Sequence, residues 1–160
     1  MDLFPFLVTQ CLNALSQAAL LFFLGCGLTL IFGIMRIVNF AHGAFFMLGA
    51  YIGYSAVRWT GNFWLALIAA PLLVGGFGAA FELGILRRLY GRDGHAFLMV
   101  TFGLTLIMGE AIRLIWGVEA LQVKAPESLS GIVFILDEPF PVYRLFLAGA
   151  GGAEIGRAHV

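Results

Sequence analysis

Long apolar stretches, most of them close to the length that crosses a lipid bilayer, dominate this sequence. Four of them cover residues 12–35, 37–57, 63–86 and 96–118. A helix of about 20 apolar residues spans the hydrocarbon core. At that depth every backbone polar group must be bonded within the segment, which a helix achieves. The sequence therefore predicts an all-α fold, a polytopic transmembrane helical bundle with about four complete spans.

A fifth apolar stretch starts after Pro141 and runs from 142 to 153. This stretch is too short to cross a membrane, so we expect the start of a fifth span without its completion. The remaining residues, 154–160, turn polar and include Glu154, Arg157 and His159. We expect them to be a foreign tail, encoded by adapter DNA joined to a truncated coding sequence.

Composition excludes several classes of protein. Charged residues make up 11% of the chain, whereas soluble domains carry about 25%. Basic and acidic residues balance at nine each, without the basic face that a nucleic-acid binder needs. Lys124 is the only lysine and follows valine, so the Gly-Lys-Ser/Thr phosphate loop is missing. We therefore expect no enzyme, no cofactor and no nucleic-acid partner, and we expect contact with a lipid bilayer.

Cysteines and histidines give no sign of a disulfide or a metal site. Cys11 and Cys26 lie about 22 Å apart if they share one helix, which is too far for a disulfide. His42, His95 and His159 have no second ligand at a typical spacing. Both cysteines are therefore expected to be small apolar fillers.

The loops between the stretches differ in charge and set the expected orientation. Loop 87–95 holds a basic cluster, and loop 117–140 is mainly acidic. The basic cluster consists of Arg87, Arg88 and Arg92. Cytoplasmic loops collect Lys and Arg, so we expect 87–95 inside, 117–140 outside and the N-terminus outside. If residues 37–57 were re-entrant, the expected orientation of all residues before them would be reversed. An alternative role for the basic cluster is contact with lipid headgroups.

Small residues recur at four-residue spacing in two of the stretches. Gly49 and Gly53 do so in the second stretch, and Gly76, Ala80 and Gly84 in the third. Such spacing lets two membrane helices approach closely. Small residues are also common in any membrane helix, so a specific contact and a chance pattern both remain open.

The run Asn39-Phe40-Ala41-His42-Gly43 places polar side chains at the start of the second stretch. Asn39 and His42 would share one helix face, and Gly43 permits a close approach or a break. Amide and ionisable groups at membrane depth are costly and usually line a pathway. The alternative is an interfacial Asn and His just past the end of the first helix.

Further polar groups lie within or beside the apolar stretches. Glu110 and Arg113 are three residues apart and can pair on one helix, which favours a structural ion pair over a substrate contact. Glu82 precedes the basic cluster and is expected to neutralise it or to snorkel towards the membrane surface. Four polar side chains share a face near the N-terminus, which we expect to meet protein or water: Thr9, Asn13, Ser16 and Gln17.

Residues 27–43 and 47–51 together resemble the inner-membrane permease subunit of branched-chain amino acid (and related amide or urea) ABC importers. Supporting similarity extends through four shorter segments, 86–92, 101–104, 116–117 and 141–146. The family often has a basic-Pro-basic turn after the third span, and this chain reads Arg88-Leu89-Tyr90-Gly91-Arg92 instead.

The resemblance implies that 1–153 is the N-terminal part of a permease domain in a bacterial-type inner membrane. Its expected partners are a second permease subunit, two cytoplasmic ATPase subunits and a periplasmic substrate-binding protein. The subunit would form half of a translocation path, with Asn39, His42 and Gly43 near the inner gate. The alternative function is a proton- or ion-coupled secondary transporter that uses His42 and Glu110.

Overall fold

A computed structural model describes residues 3–35, 39–91 and 94–157, in which helices predominate. The five α-helices are α1 (Leu3–Met35), α2 (Ala41–Thr60), α3 (Phe63–Gly84), α4 (Gly94–Trp116) and α5 (Val142–Arg157). Two 3₁₀ turns, Leu86–Leu89 and Glu127–Leu129, and two short strands, β1 (Ile132–Ile135) and β2 (Glu138–Pro141), lie between them.

Three helical segments of the described chain are long and apolar enough to cross a membrane: Leu3–Gly33, Phe63–Leu89 and Gly94–Trp116. Only 11%, 11% and 22% of their most apolar windows are buried by protein, so lipid or other subunits must cover the rest. These helices make the chain a multi-pass helical membrane protein. α2 has 20 residues, but polar groups such as His42 and Arg58 lower its hydropathy, and the count of four spans stays a prediction.

The helix boundaries differ most from the expected ones at the starts of α1 and α2, while the end of α2, the end of α3 and both ends of α4 shift by two or three residues. α1 begins at Leu3 rather than at residue 12, so the polar residues before that position belong to the same helix. α2 begins at Ala41 rather than at residue 37, and it runs without a break to Thr60. The expected second stretch therefore has a continuous helix, and Asn39 lies in front of it.

A tight turn joins α2 to α3. Gly61 adopts a left-handed conformation with φ of +67°, and its N–H donates to the Val57 carbonyl over 2.8 Å. Asn62 then caps α3, because its Oδ1 accepts hydrogen bonds from the N–H groups of Trp64 and Leu65 at 2.9 and 3.1 Å. Glycine after a helix and asparagine before the next are the residues that such ends favour.

Residues 27–123 form one compact unit, called here the central unit. Within it α2 packs against both α3 and α4. Ala41 and Ala44 are buried against Leu104 and Met108 of α4. Alanine side chains let the two helix backbones approach closely, which anchors the first turn of α2.

The described residues within 1–26 and 124–160 form a second compact unit, called here the terminal unit. It contains a β-hairpin within the segment that the sequence predicted as a loop. Leu136 and Asp137 have φ of +53° and +65°, the conformation of a two-residue type I′ turn. Pro139 pairs with Phe134 and Pro141 with Ile132, at alternate positions of β2. Alternate N–H groups point away from a partner strand, so two prolines at this spacing remove no ladder hydrogen bond.

The terminal unit also contains a contact between α1 and α5. Ser16 is buried, and its Oγ donates to the Arg144 carbonyl over 3.0 Å. The Arg144 guanidinium donates to Asn13 Oδ1. The expectation that this polar face meets protein is confirmed for Asn13 and Ser16. The predicted domain boundary at 153 falls inside α5, and the tail residues 158–160, including His159, lie outside the described residues.

Candidate functional site

A cavity of about 480 Å³ lies in the central unit, where α1 and α3 end and α2 and α4 begin. Four polar residues line it, and it is called here the polar cavity: Asn39, His42, Glu82 and Tyr90. The rest of its wall is mainly apolar and includes Ile31, Phe45, Phe81 and Phe97. A few convergent polar groups in an apolar concavity are typical of sites that bind small molecules.

Asn39 contributes to this wall from outside the helix. Its Oδ1 accepts a hydrogen bond from the Ala41 N–H at 2.9 Å, and its carbonyl accepts one from the His42 N–H at 3.3 Å. These bonds satisfy backbone donors that the first turn of a helix leaves unpaired. The expectation that Asn39 and His42 share one helix face is therefore wrong, because Asn39 precedes α2. Both residues nevertheless line the same cavity.

The packing of neighbouring residues decides where His42 lies. Ala41 and Ala44 take the side of α2 that is buried against α4. Phe40, just before the helix, packs edge-to-face on Phe102 with ring centroids 6.2 Å apart. His42 follows Ala41 by one residue and so lies on a different side of α2 from the buried alanines, where it is half-buried in the cavity wall.

Glu82 and Tyr90 are cavity residues that the sequence did not identify. Tyr90 Oη donates to Glu82 Oε1 over 3.2 Å. Burial of the phenol raises the pKa of Tyr90, and the charge and hydrogen bond of Glu82 raise it further, while Arg87 lowers it. Glu82 thus bonds to Tyr90, and among the described residues no ion pair joins it to Arg87 or Arg88 as expected. Its position as a carboxylate in an apolar stretch was the signal that could have identified it.

The other predicted gate and loop residues lie outside this arrangement. Gly43 is exposed, and a Cβ there would meet no described atom within 4 Å, so it makes no close helix contact. Arg87 and Arg88 are exposed on the 3₁₀ turn Leu86–Leu89. Arg92 lies outside the described residues.

The structure brings Glu110 and Arg113 together on the surface of α4. Arg113 Nη1 donates to Glu110 Oε1 over 2.9 Å, and the side chains are 64% and 68% exposed. Neither belongs to the described residues that line the polar cavity. Glu110 therefore lies outside the cavity wall that contains His42, and the alternative of an ion-coupled carrier is not favoured.

The two glycine patterns have different surroundings. A Cβ at Gly49 would lie 3.7 Å from Val74, and a Cβ at Gly53 would lie 3.8 Å from Ala70, so these two glycines face α3. Gly76 and Gly84 have no described atom within 4 Å of such a Cβ, and Ala80, between them, is exposed. The helix face of α3 that meets α2 passes instead through Gly78, where a Cβ would lie 3.7 Å from the Phe45 ring.

A multi-pass helical membrane protein with a cavity of mixed polarity is the class that these observations define. The chain belongs to the family described as the permease component of branched-chain amino acid transport systems, whose model matches residues 10–150.

One curated relative is the high-affinity branched-chain amino acid transport system permease protein BraD of Pseudomonas aeruginosa. It is 28% identical over 114 residues, which cover 66% of this chain. The aligned part spans 37% of the length of that relative. No solved structure matches the chain.

Proposed function

We propose that this chain is part of the permease subunit of an ATP-driven importer for branched-chain amino acids or related small polar solutes. Family membership and the transport function in the relative's name support this assignment. The observation that carries it is the polar cavity, since an amide, an imidazole, a carboxylate and a phenol converge there within an apolar wall.

The chemistry of such a cavity suits an amino acid with an aliphatic side chain. Asn39 and His42 offer hydrogen bonds to the polar end of a solute, while rings such as those of Phe45 and Phe81 offer an apolar surface. We infer that the cavity forms part of one half of the translocation path. A second state that closes it would let a solute pass without an open channel, and partner subunits would bias the two states.

The orientation we propose places the polar cavity at the cytoplasmic side. The basic residues Arg87 and Arg88 lie at the same end of the central unit as Glu82 and Tyr90, and basic loops remain on the cytoplasmic side. The hairpin of β1 and β2 and the N-terminus would then lie outside, where the hairpin would face a periplasmic substrate-binding protein.

The remaining partners follow from the same proposal. Two cytoplasmic ATPase subunits would supply the energy, because this chain has no phosphate loop and acts as a non-enzymatic component. A second permease subunit would supply the other half of the path. The largely unburied apolar surfaces of α1 and α3 support contacts with lipid and with such a subunit. We keep residues 154–160 as a proposed foreign tail, to be checked by sequencing the underlying DNA.

The test uses the full-length subunit together with its transporter partners in membrane vesicles. His42→Ala is compared with His95→Ala, since His95 is exposed at the start of α4 and does not line the described cavity. We expect His42→Ala to reduce ATP-dependent leucine uptake strongly, with normal co-purification of the ATPase subunits. His95→Ala should transport normally. Normal uptake by His42→Ala would remove the polar cavity from the transport path.

A further inference from the structure

Gly27 of α1 lies directly against the imidazole ring of His42. A Cβ built on Gly27 would lie 2.8 Å from His42 Cε1 and 3.0 Å from Nε2. Carbon atoms in contact normally lie at about 3.5–4.0 Å, so no larger residue fits at 27 while the ring keeps this place. The edge of the His42 ring therefore occupies the space that a side chain at position 27 would fill.

The His42 ring cannot simply retreat by a shift of its helix. The residues beside it, Ala41 and Ala44, are buried against Leu104 and Met108, which fixes the first turn of α2. A methyl group added at Gly27 would therefore press on the flexible end of the His42 side chain, and would rotate the imidazole about its own side-chain bonds unless α1 itself shifted. Since His42 is part of the wall of the polar cavity, that rotation changes the position of the imidazole nitrogens in the wall.

The close fit is local to Gly27 and is not a general property of glycine in α1. A Cβ at Gly33, on the same helix, would meet no described atom within 4 Å. Glycine in a helix interior is also less favourable than alanine, because it loses more backbone freedom on folding. A glycine at 27 therefore weakens the helix locally and, in return, makes room for the ring.

We propose that Gly27 is a positioning residue for transport, which seats the His42 imidazole at the wall of the polar cavity and so sets the rate of solute passage. This inference rests on the proposed function of His42. Gly27 touches no solute, and its effect is transmitted entirely through the ring of His42.

A double-mutant cycle in the full-length transporter separates this role from general packing. We expect Gly27→Ala to lower the maximal rate of leucine uptake about tenfold in the parent, with KM unchanged. In a His42→Ala background, which removes the ring, the same Gly27→Ala change should have no further effect. The control is Gly33→Ala, a change of the same size on the same helix, which should leave uptake unaltered.

Three results would overturn the inference. These are uptake by Gly27→Ala equal to that of Gly33→Ala, an equal loss from Gly27→Ala in both backgrounds, and a parallel loss of thermal stability and uptake. If Gly27→Ala fails to assemble, Gly27→Ala combined with His42→Asn decides the matter, because the shorter side chain restores the space. Recovery of assembly by this double variant supports the role of Gly27, and continued failure to assemble contradicts it. Normal uptake by His42→Ala would instead defeat the proposed function itself.

Discussion

The polar cavity and the Glu110–Arg113 pair are two polar groupings within apolar helices, and they differ in how they are assembled. The pair is made within one helix from neighbours three residues apart, and it is exposed. The cavity brings together residues from the turn before α2, from α2, from α3 and from the segment after the 3₁₀ turn. The two charges of a pair within one helix neutralise each other wherever that helix lies. A convergent set depends on helix packing, and that dependence makes it a candidate for coupling transport to movement.

The largest expected effect in the cavity, beyond that of His42, comes from Asn39→Leu. This change removes a polar group from the wall and the acceptor of the Ala41 N–H. Loss of such a hydrogen bond costs about 0.5–1.5 kcal/mol of stability, and we expect uptake to fall about tenfold. Uptake assays and thermal unfolding of the purified complex measure the two effects. Asn39→Asp keeps the acceptor and should retain the stability. Full uptake by Asn39→Leu would mean that the cavity, like the Glu110–Arg113 pair, is not needed for transport.

A smaller effect is expected from Tyr90→Phe, which removes the hydrogen bond to Glu82. One such bond is worth about 0.5–1.5 kcal/mol, so uptake should fall about two- to tenfold.

The pH dependence of that difference sharpens the test. The pKa of Tyr90 is raised above the ordinary tyrosine value of 10.0, so the phenol keeps its proton at neutral pH and up to that value. The difference between parent and Tyr90→Phe should therefore be constant from neutral pH upward, and should vanish only as pH rises through the raised pKa. A difference that disappears near neutral pH would contradict the role of this bond.

Loss of the Glu110–Arg113 pair should have almost no effect on uptake or stability. Glu110→Gln removes an exposed ion pair, and such pairs contribute about 0–1 kcal/mol. We expect uptake and thermal stability close to those of the parent, with uptake driven by ATP and insensitive to an uncoupler. An ion-coupled carrier using this carboxylate would lose uptake in Glu110→Gln, and that result would reverse the comparison.

The smallest effect is expected from Gly76→Ala. A Cβ there meets no described atom within 4 Å, and alanine favours the helix. Uptake and assembly should be unchanged, in contrast to the same substitution at Gly27. A loss as large as that of Gly27→Ala would mean that the exposed face of α3 packs closely against another subunit in the assembled transporter.

The sequence predicts the helical membrane class and the family because long apolar stretches and the Asn-Phe-Ala-His-Gly run are local signals. It does not predict which glycine of α3 faces α2, since Gly76 and Gly78 both lie in equally apolar surroundings. Rotation of a helix about its axis is decided by its neighbours.

The convergence of the cavity residues was likewise out of reach of the sequence. Glu82 and Tyr90 meet across a 3₁₀ turn, and Gly27 meets His42 across two helices. The hairpin was missed for a different reason. Pro139 and Pro141 are typical of loops, and their compatibility with a strand depends on a register that only pairing defines.

Side-specific labelling of a cavity residue tests most directly whether the polar cavity lies on the transport path. The full-length subunit, with every native cysteine including Cys11 and Cys26 replaced by serine, carries either Ile31→Cys in the cavity wall or Phe32→Cys on the exposed apolar surface. We predict that a membrane-impermeant maleimide modifies Ile31→Cys from the cytoplasmic face, at a rate that changes when ATP and solute drive turnover. Phe32→Cys should react slowly under all conditions. Equal labelling of the two variants, unaffected by turnover, would contradict the account.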